Sequence, residues 1–234
     1  MRAVTQSRKP ATPEWNLQSL GRRVPRSLRQ ARDLTTARRI VATAEQIFAE
    51  QGLAGARMDE IARAAKVNKA LLYYYFRSKE ELFHFVLETL LSQLRARVGA
   101  QGAAPVSPSK RLAAVIDNFF DFVQRHPNYP RLIQRVMMTR GPNLEWIVSE
   151  YSKPLHIRLI GLLEEGISAG EFRRVDTQNT ALTVVSIMVF YFSAAPVLSR
   201  ILGHDPLQPR EVAQRRKAVH DFLEHGLFRP GVLS

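Results

Sequence analysis

The chain has 234 residues, 45% hydrophobic and 24% charged, with 12 Gly and 13 Pro; this is a globular composition that excludes collagen-like and low-complexity classes. Cysteine is absent, which rules out disulfides, thiolate metal sites and a cysteine nucleophile, and fits a reducing compartment, the cytoplasm. A net charge of +13 calls for a polyanionic partner, either nucleic acid or an anionic membrane.

The charge is concentrated at one end. Residues 1–39 hold ten Lys or Arg against Glu14 and Asp33, a net +8, and residues 1–34 show no sustained apolar period, so they read as a basic flexible arm. No apolar run follows the first basic residues, so no secretory signal is expected. Helical spacing begins at Thr36, with Ile40, Ala44, Ile47 and Phe48 on one face and Gly52 as the stop. Met58, Ile61, Ala62 and Ala65 form a second short helix, Lys66-Val67-Asn68 a turn, and Lys69 to Phe76 a third helix with Leu72 and Phe76 inward. Ser78 and Glu81 match a capping box, in which Glu81 reaches back to the Ser78 amide. That box opens a fourth helix running to about Val98.

Gly99 to Pro108 reads as a linker. Prolines then punctuate the remainder: Pro108 opens a helix ending near His126, Pro130 a short one, Pro142 one that runs to about Gly170 with a kink at Pro154, and Pro209 the last. Asp176 is placed to cap a helix over Thr177 to Ser199, a stretch without a formal charge. Its length could span a bilayer, but Thr180, Thr183, Ser186, Tyr191, Ser193 and Pro196 interrupt it, and an oligomer interface is the better reading. No period-two alternation persists, so the fold class is all-α: a three-helix helix-turn-helix followed by a larger helical domain. The expected divisions are 1–34, 35–82 and 83–234.

Only an element as narrow as a helix enters the major groove, and the helix from Lys69 suits it. Asn68 can cap it, Lys69 brings a cation, and Tyr73, Tyr74 and Tyr75 spread hydroxyls over less than a turn. Three consecutive Tyr cannot all be buried; at least one belongs to the core and two are expected to face DNA.

The run Met58-Asp-Glu-Ile-Ala-Arg-Ala-Ala-Lys-Val-Asn-Lys-Ala-Leu-Leu-Tyr-Tyr-Tyr-Phe-Arg-Ser-Lys-Glu-Glu-Leu82 resembles the N-terminal domain of TetR-type repressors. The match extends over about Thr36 to Leu90. It implies that Lys69, Ala70, Leu71 and Tyr74 approach base edges while Tyr73, Tyr75 and Lys79 contact phosphates, with Arg57 and Asn68 completing the DNA-binding set. Arg57 stands where the family usually has a capping Thr, and Lys66 where it often has Gly; a positive φ at Lys66 would cost on the order of 1 kcal/mol. The resemblance also implies a homodimer formed by the last two long helices, on a palindromic operator whose half-sites lie about 34–36 Å apart, and an inducer pocket in the C-terminal domain. A repressor released by a small-molecule effector is the expected function.

The residues supply independent support for dimerisation in the surplus apolar surface near 177–199 and 209–228, which a two-fold four-helix interface would bury. For a pocket, Asn118, Phe119, Arg135, Met138, Trp146, Tyr151, His156 and Tyr191 are the candidates, although aromatic and Met residues at helical spacing chiefly fill cores. No second ligand accompanies His156, so no metal is expected, and no cofactor. No phosphate loop, nucleophile elbow or His-x-x-x-His pair occurs, so no enzyme is expected. Two other classes share the composition: an architectural DNA-binding protein without an effector, and a membrane-associated basic protein.

Overall fold

The computed structural model describes residues 34–99, 106–139 and 141–228. The expected arm, apart from Leu34, lies outside the described residues. Those residues divide between two compact units that meet at Ser92 and Gln93.

In the first unit, α1 (Thr35–Gly55) buries Ala37, Ile40, Val41, Ala44, Ile47 and Phe48 along one stripe. Gly52, the expected stop, has φ 74° and ψ 177°, a conformation open essentially to glycine alone. α2 (Met58–Ala64) and α3 (Lys69–Tyr75) follow, then α4 (Lys79–Gly99), which continues into the second unit. The Phe48 ring packs edge-on to Phe83 at 4.9 Å and the Phe76 ring lies 5.4 Å from Phe85, so the third helix and the start of the fourth share one core. The Glu81 amide donates to Ser78 Oγ at 3.1 Å, one half of the capping box. The other half differs from expectation: the Glu81 carboxylate accepts from the Arg77 amide at 2.6 Å. The extended backbone at Phe76 (φ −136°, ψ 113°) turns that earlier amide toward the helix start, and Arg77 N–H needs an acceptor as much as Ser78 does.

The second unit is built on α5 (Pro108–Arg125), α6 (Tyr129–Met138), α7 (Pro142–Ile147), α8 (Lys153–Ser168), α9 (Thr177–Ser193), α10 (Ala195–Leu202) and α11 (Pro209–Gly226). α5 buries Leu112, Ile116, Phe119, Phe120 and Val123 at three- and four-residue spacing and packs against α8, α9 and α11. Each such fully buried side chain contributes about 1.5–3 kcal/mol. Among the described residues no strand forms; one antiparallel bridge joins Phe172 to Phe228, whose rings stack at 5.1 Å. Gly166 makes room for this closure, because a Cβ there would sit 2.1 Å from Phe172 Cδ2.

Two expected helices are each interrupted. Between Pro142 and Gly170 the chain makes a π-helical turn, Val148–Ser152, instead of a simple kink at Pro154. Pro154 has no N–H to give and its ring crowds the carbonyl four residues earlier, and one wide turn absorbs both. The uncharged stretch is likewise two helices, α9 and α10, bent by 70° at Ala194. Pro196 enters the first turn of α10, where its missing N–H costs nothing. No single helix among the described residues is long and apolar enough to cross a membrane. The Asp176 cap forms as expected, Oδ1 accepting from the Asn179 amide at 2.9 Å.

His126, which ends α5, lies with its ring 4.6 Å from Phe122. Burial, then the charges of Arg97 and Arg125, push its pKa down to about 4. The folded state thus holds a neutral imidazole, and the unfolded chain binds the extra proton. This contribution to stability is complete above the ordinary imidazole value near 6.5 and is lost as pH falls toward 4. Urea unfolding between pH 7 and 4 is expected to show a loss on the order of 2 kcal/mol from this group, and His126→Phe to remove that part of the slope.

Candidate nucleic-acid interface

The reading element is α3, a helix of seven residues, too short to persist alone. Three devices hold it. Leu72 and Phe76 are fully buried beneath it. Asn68 caps it, Oδ1 accepting from the Leu71 amide at 2.7 Å. The turn before it passes through Lys66 at φ 53°, the left-handed conformation foreseen where glycine is usual, and the Val67 amide closes on Ala62 O at 3.0 Å.

With α3 fixed, the three tyrosines separate. Tyr73 and Tyr74 are 41% and 59% exposed, whereas Tyr75 is 9% exposed. Tyr75, expected at a phosphate, packs its ring edge-on to Tyr74 at 5.3 Å, because its position on α3 turns the ring inward with Leu72. Lys69 and Ala70 are exposed, Leu71 half-buried, and Arg57 exposed in the extended position before α2 with no side-chain cap to it. Lys69, Ala70, Tyr73 and Tyr74 thus come together on one exposed edge.

Lys79 has a structural task that its motif position does not announce. Its Nζ donates to Ala54 O at 3.3 Å and Ala56 O at 3.0 Å, tying the α1–α2 connection to the start of α4. An ammonium carries three donors, so one N–H is left for a phosphate. Asp59, which sequence reading passed over, forms an ion pair with Lys69, Oδ1 to Nζ 2.8 Å, and that hydrogen bond and charge raise the Lys69 pKa. An acid in the first turn of α2 is readable as a helix-dipole partner; its meeting with a residue ten positions on depends on the turn between the helices.

The effector candidates differ in burial and partners, and Phe119 and Tyr191 both pack against Phe192, at 6.0 and 5.4 Å. Phe119 is buried among Phe120 and Phe192, 6.3 and 6.0 Å away, with Asn118 half-buried beside it. Trp146 and Tyr151 are buried edge-to-face at 5.3 Å, and the Arg95 guanidinium lies 5.0 Å from the Tyr151 ring. His156 is half-buried on α8. Tyr191 donates its hydroxyl to Pro206 O at 2.7 Å under the Arg215 guanidinium. Arg135 is exposed, and Met138 is 81% exposed. Met138 therefore turns away from the interior: the buried line of α6 is Tyr129, Pro130, Leu132 and Val136, and Met138 projects from its last turn to another side. Missed by sequence reading is a polar ladder in which Asp121 pairs with Arg216, and Asp117 with His220 at 2.9 Å, between α5 and α11.

A capped three-helix head with a solvent-facing reading edge, followed by a helical domain, defines a helix-turn-helix DNA-binding regulator. Residues 40–86 match the model for bacterial regulatory proteins of the tetR family, and residues 108–223 the tetracyclin repressor-like C-terminal domain. The chain is 34% identical over 179 residues to the HTH-type transcriptional activator FasR of Mycolicibacterium smegmatis, covering 76% of this chain and 78% of that protein. It is 28% identical over 198 residues to the HTH-type transcriptional repressor NicS of Pseudomonas putida, covering 81% and 91%. Its fold is shared with the ketosteroid transcriptional regulator KstR2 of Mycobacterium tuberculosis, with TM-score 0.68, 22% identity and coverage of 86% and 97%. A putative transcriptional regulator from Saccharomonospora viridis solved with choline has TM-score 0.69 at 18% identity, with coverage of 84% and 100%. The chain belongs to the TetR family of transcriptional regulators, DNA-binding proteins that dimerise and carry a ligand-binding C-terminal domain.

The left-handed Lys66 stores removable strain. Lys66→Gly is expected to raise the unfolding free energy by about 1 kcal/mol, read as a higher denaturation midpoint; an unchanged or lower midpoint would mean that the φ costs nothing here.

Proposed function

We propose that this protein represses transcription in the cytoplasm by occupying a palindromic operator as a homodimer, and that a small organic effector in the C-terminal domain releases it. The observation that carries this is the exposed edge of Lys69, Ala70, Tyr73 and Tyr74 on a capped, packed helix. Residues 35–82 act as the reading head and 83–234 as the effector and dimerisation part. Lys69, Ala70, Leu71 and Tyr74 meet base edges in the major groove; Tyr73, Arg57 and the remaining Lys79 N–H meet phosphates, and Asn68 sets the start of the helix. The two copies of α3 lie about one helical turn apart on the duplex, near 34–36 Å.

Dimerisation through α9 and α11 is supported by Leu182, Phe190 and Phe222, large apolar side chains left exposed on those helices in the single chain. For the effector, the structural relatives include a ketosteroid regulator and a regulator solved with choline, and these support only a class for this chain, a small organic molecule. Of the residues proposed for it, Phe119, Trp146, Tyr151 and Tyr191 offer aromatic surface, and Asn118, His156 and Arg135 offer polar groups. Release requires differential binding: moving the population from 1:99 to 99:1 takes about 5.5 kcal/mol. Activation is the second reading, favoured by the 34% identity to an activator, and it uses the same DNA-binding parts; an operator that lies upstream of the promoter, with transcription lost on deletion of the protein, would select it.

Selection of bound sequences from a random duplex pool at fixed salt is expected to return an inverted repeat. Lys69→Ala and Tyr74→Ala should each weaken operator binding by about tenfold to a hundredfold, the range of one good base contact. Phe190→Glu should give a monomer in sedimentation and abolish tight operator binding. Recovery of no motif would sink the operator reading.

A further inference from the structure

The Asp59–Lys69 pair is unexpected where it stands. Asp59 Oδ1 lies 2.8 Å from Lys69 Nζ, with side chains 66% and 60% exposed, and such exposed pairs contribute little to stability. The Tyr73 ring centroid lies 6.0 Å from the same ammonium. The pair therefore cancels a cation on the edge that faces the duplex and places a carboxylate there, which repels phosphate and lowers affinity. In a chain of net charge +13, attraction to any duplex is abundant, and most of it carries no sequence information. The scarce quantity is discrimination.

We propose that Asp59 is a specificity-determining residue: it withholds Lys69 from non-specific phosphate contact and yields it to a base acceptor in the correct operator. The inference rests on the reading of α3 as the base-reading helix. Exchanging the carboxylate for one phosphate oxygen swaps one exposed anion for another and leaves the Asp59 charge facing the duplex, so it gives no net attraction. Exchange for the O6 and N7 of a guanine supplies two acceptors at once, inside a groove drier than the free surface, where a hydrogen bond is worth more. Asp59 thus weakens binding to random DNA more than binding to the operator. Specificity is the difference between those two free energies, so it rises.

The test compares the full-length protein with Asp59→Asn, which keeps the size and the hydrogen-bonding oxygen but removes the charge, on the selected operator and on a random duplex across a salt series. Asp59→Ser, which keeps an acceptor in the first turn of α2, is the second variant, and thermal midpoints are measured for both. Expected is a tightening on the random duplex by about threefold to tenfold, with a salt slope steeper by about one phosphate contact, and a smaller change on the operator, so that the specificity ratio falls. Equal factors on both duplexes, or no change on either, would overturn the proposal. Lys69→Ala separates the two layers. If it abolishes operator preference while Asp59→Asn leaves the ratio intact, the inference alone fails; if it leaves preference intact, the reading of α3 fails and the inference with it.

Discussion

A reading helix of seven residues cannot hold itself together, because helix nucleation costs more than so few hydrogen bonds return. Everything in the first unit answers that constraint. Leu72 and Phe76 anchor the inward face of α3, and Phe76 meets Phe85 on α4 while Phe48 of α1 meets Phe83 on the same helix. The ends are held as firmly as the middle: Asn68 satisfies the Leu71 amide at one, and the Ser78 and Glu81 pair secures the start of α4 just beyond the other. Lys79 adds a brace from the opposite side by drawing the carbonyls of Ala54 and Ala56 onto α4. Rigidity matters here because a base contact that drifts by an ångström is a different contact.

The unit also accepts a local cost for that rigidity. Lys66 occupies a left-handed conformation that a side chain disfavours, and it does so in a turn bounded by Ala65, fully buried, and by the Val67 amide bonded to Ala62. The packing on both sides over-determines the backbone, which is how such a residue persists. A lysine at this place adds charge beside the reading edge, in keeping with a protein whose long-range attraction to DNA is electrostatic.

In the second unit α5 plays the part that α4 plays in the first. Its aromatic stripe sets Phe119 and Phe120 against Phe192 of α9, while Asp117 and Asp121 on an adjoining face hold His220 and Arg216 of α11. One helix thereby positions both helices assigned to the dimer face, by apolar packing to one and by polar side-chain contacts to the other. The segment that follows α11 is fixed independently, by the Phe172–Phe228 stack and the Arg173 amide on Leu227 O at 3.0 Å.

Periodicity and punctuation alone determined the all-α class, the helix-turn-helix between Thr36 and Lys79, a break at Gly52, the caps at Asn68 and Asp176, and the starts at Pro108, Pro142 and Pro209, because each rests on interactions within a few residues. Only the tertiary structure decided which tyrosine turns inward, that Glu81 bonds the Arg77 amide, that Lys79 braces a connection more than twenty residues earlier, and that the uncharged stretch bends by 70° at Ala194. The burial of Phe119, Trp146 and Tyr151 and the exposure of Met138 were equally out of reach, since a bulky apolar residue looks the same in sequence whether it fills a core, lines a cavity or faces water. The pairing of Asp59 with Lys69 has the same origin: two charges ten residues apart meet or miss according to a turn whose geometry is set by what it packs against.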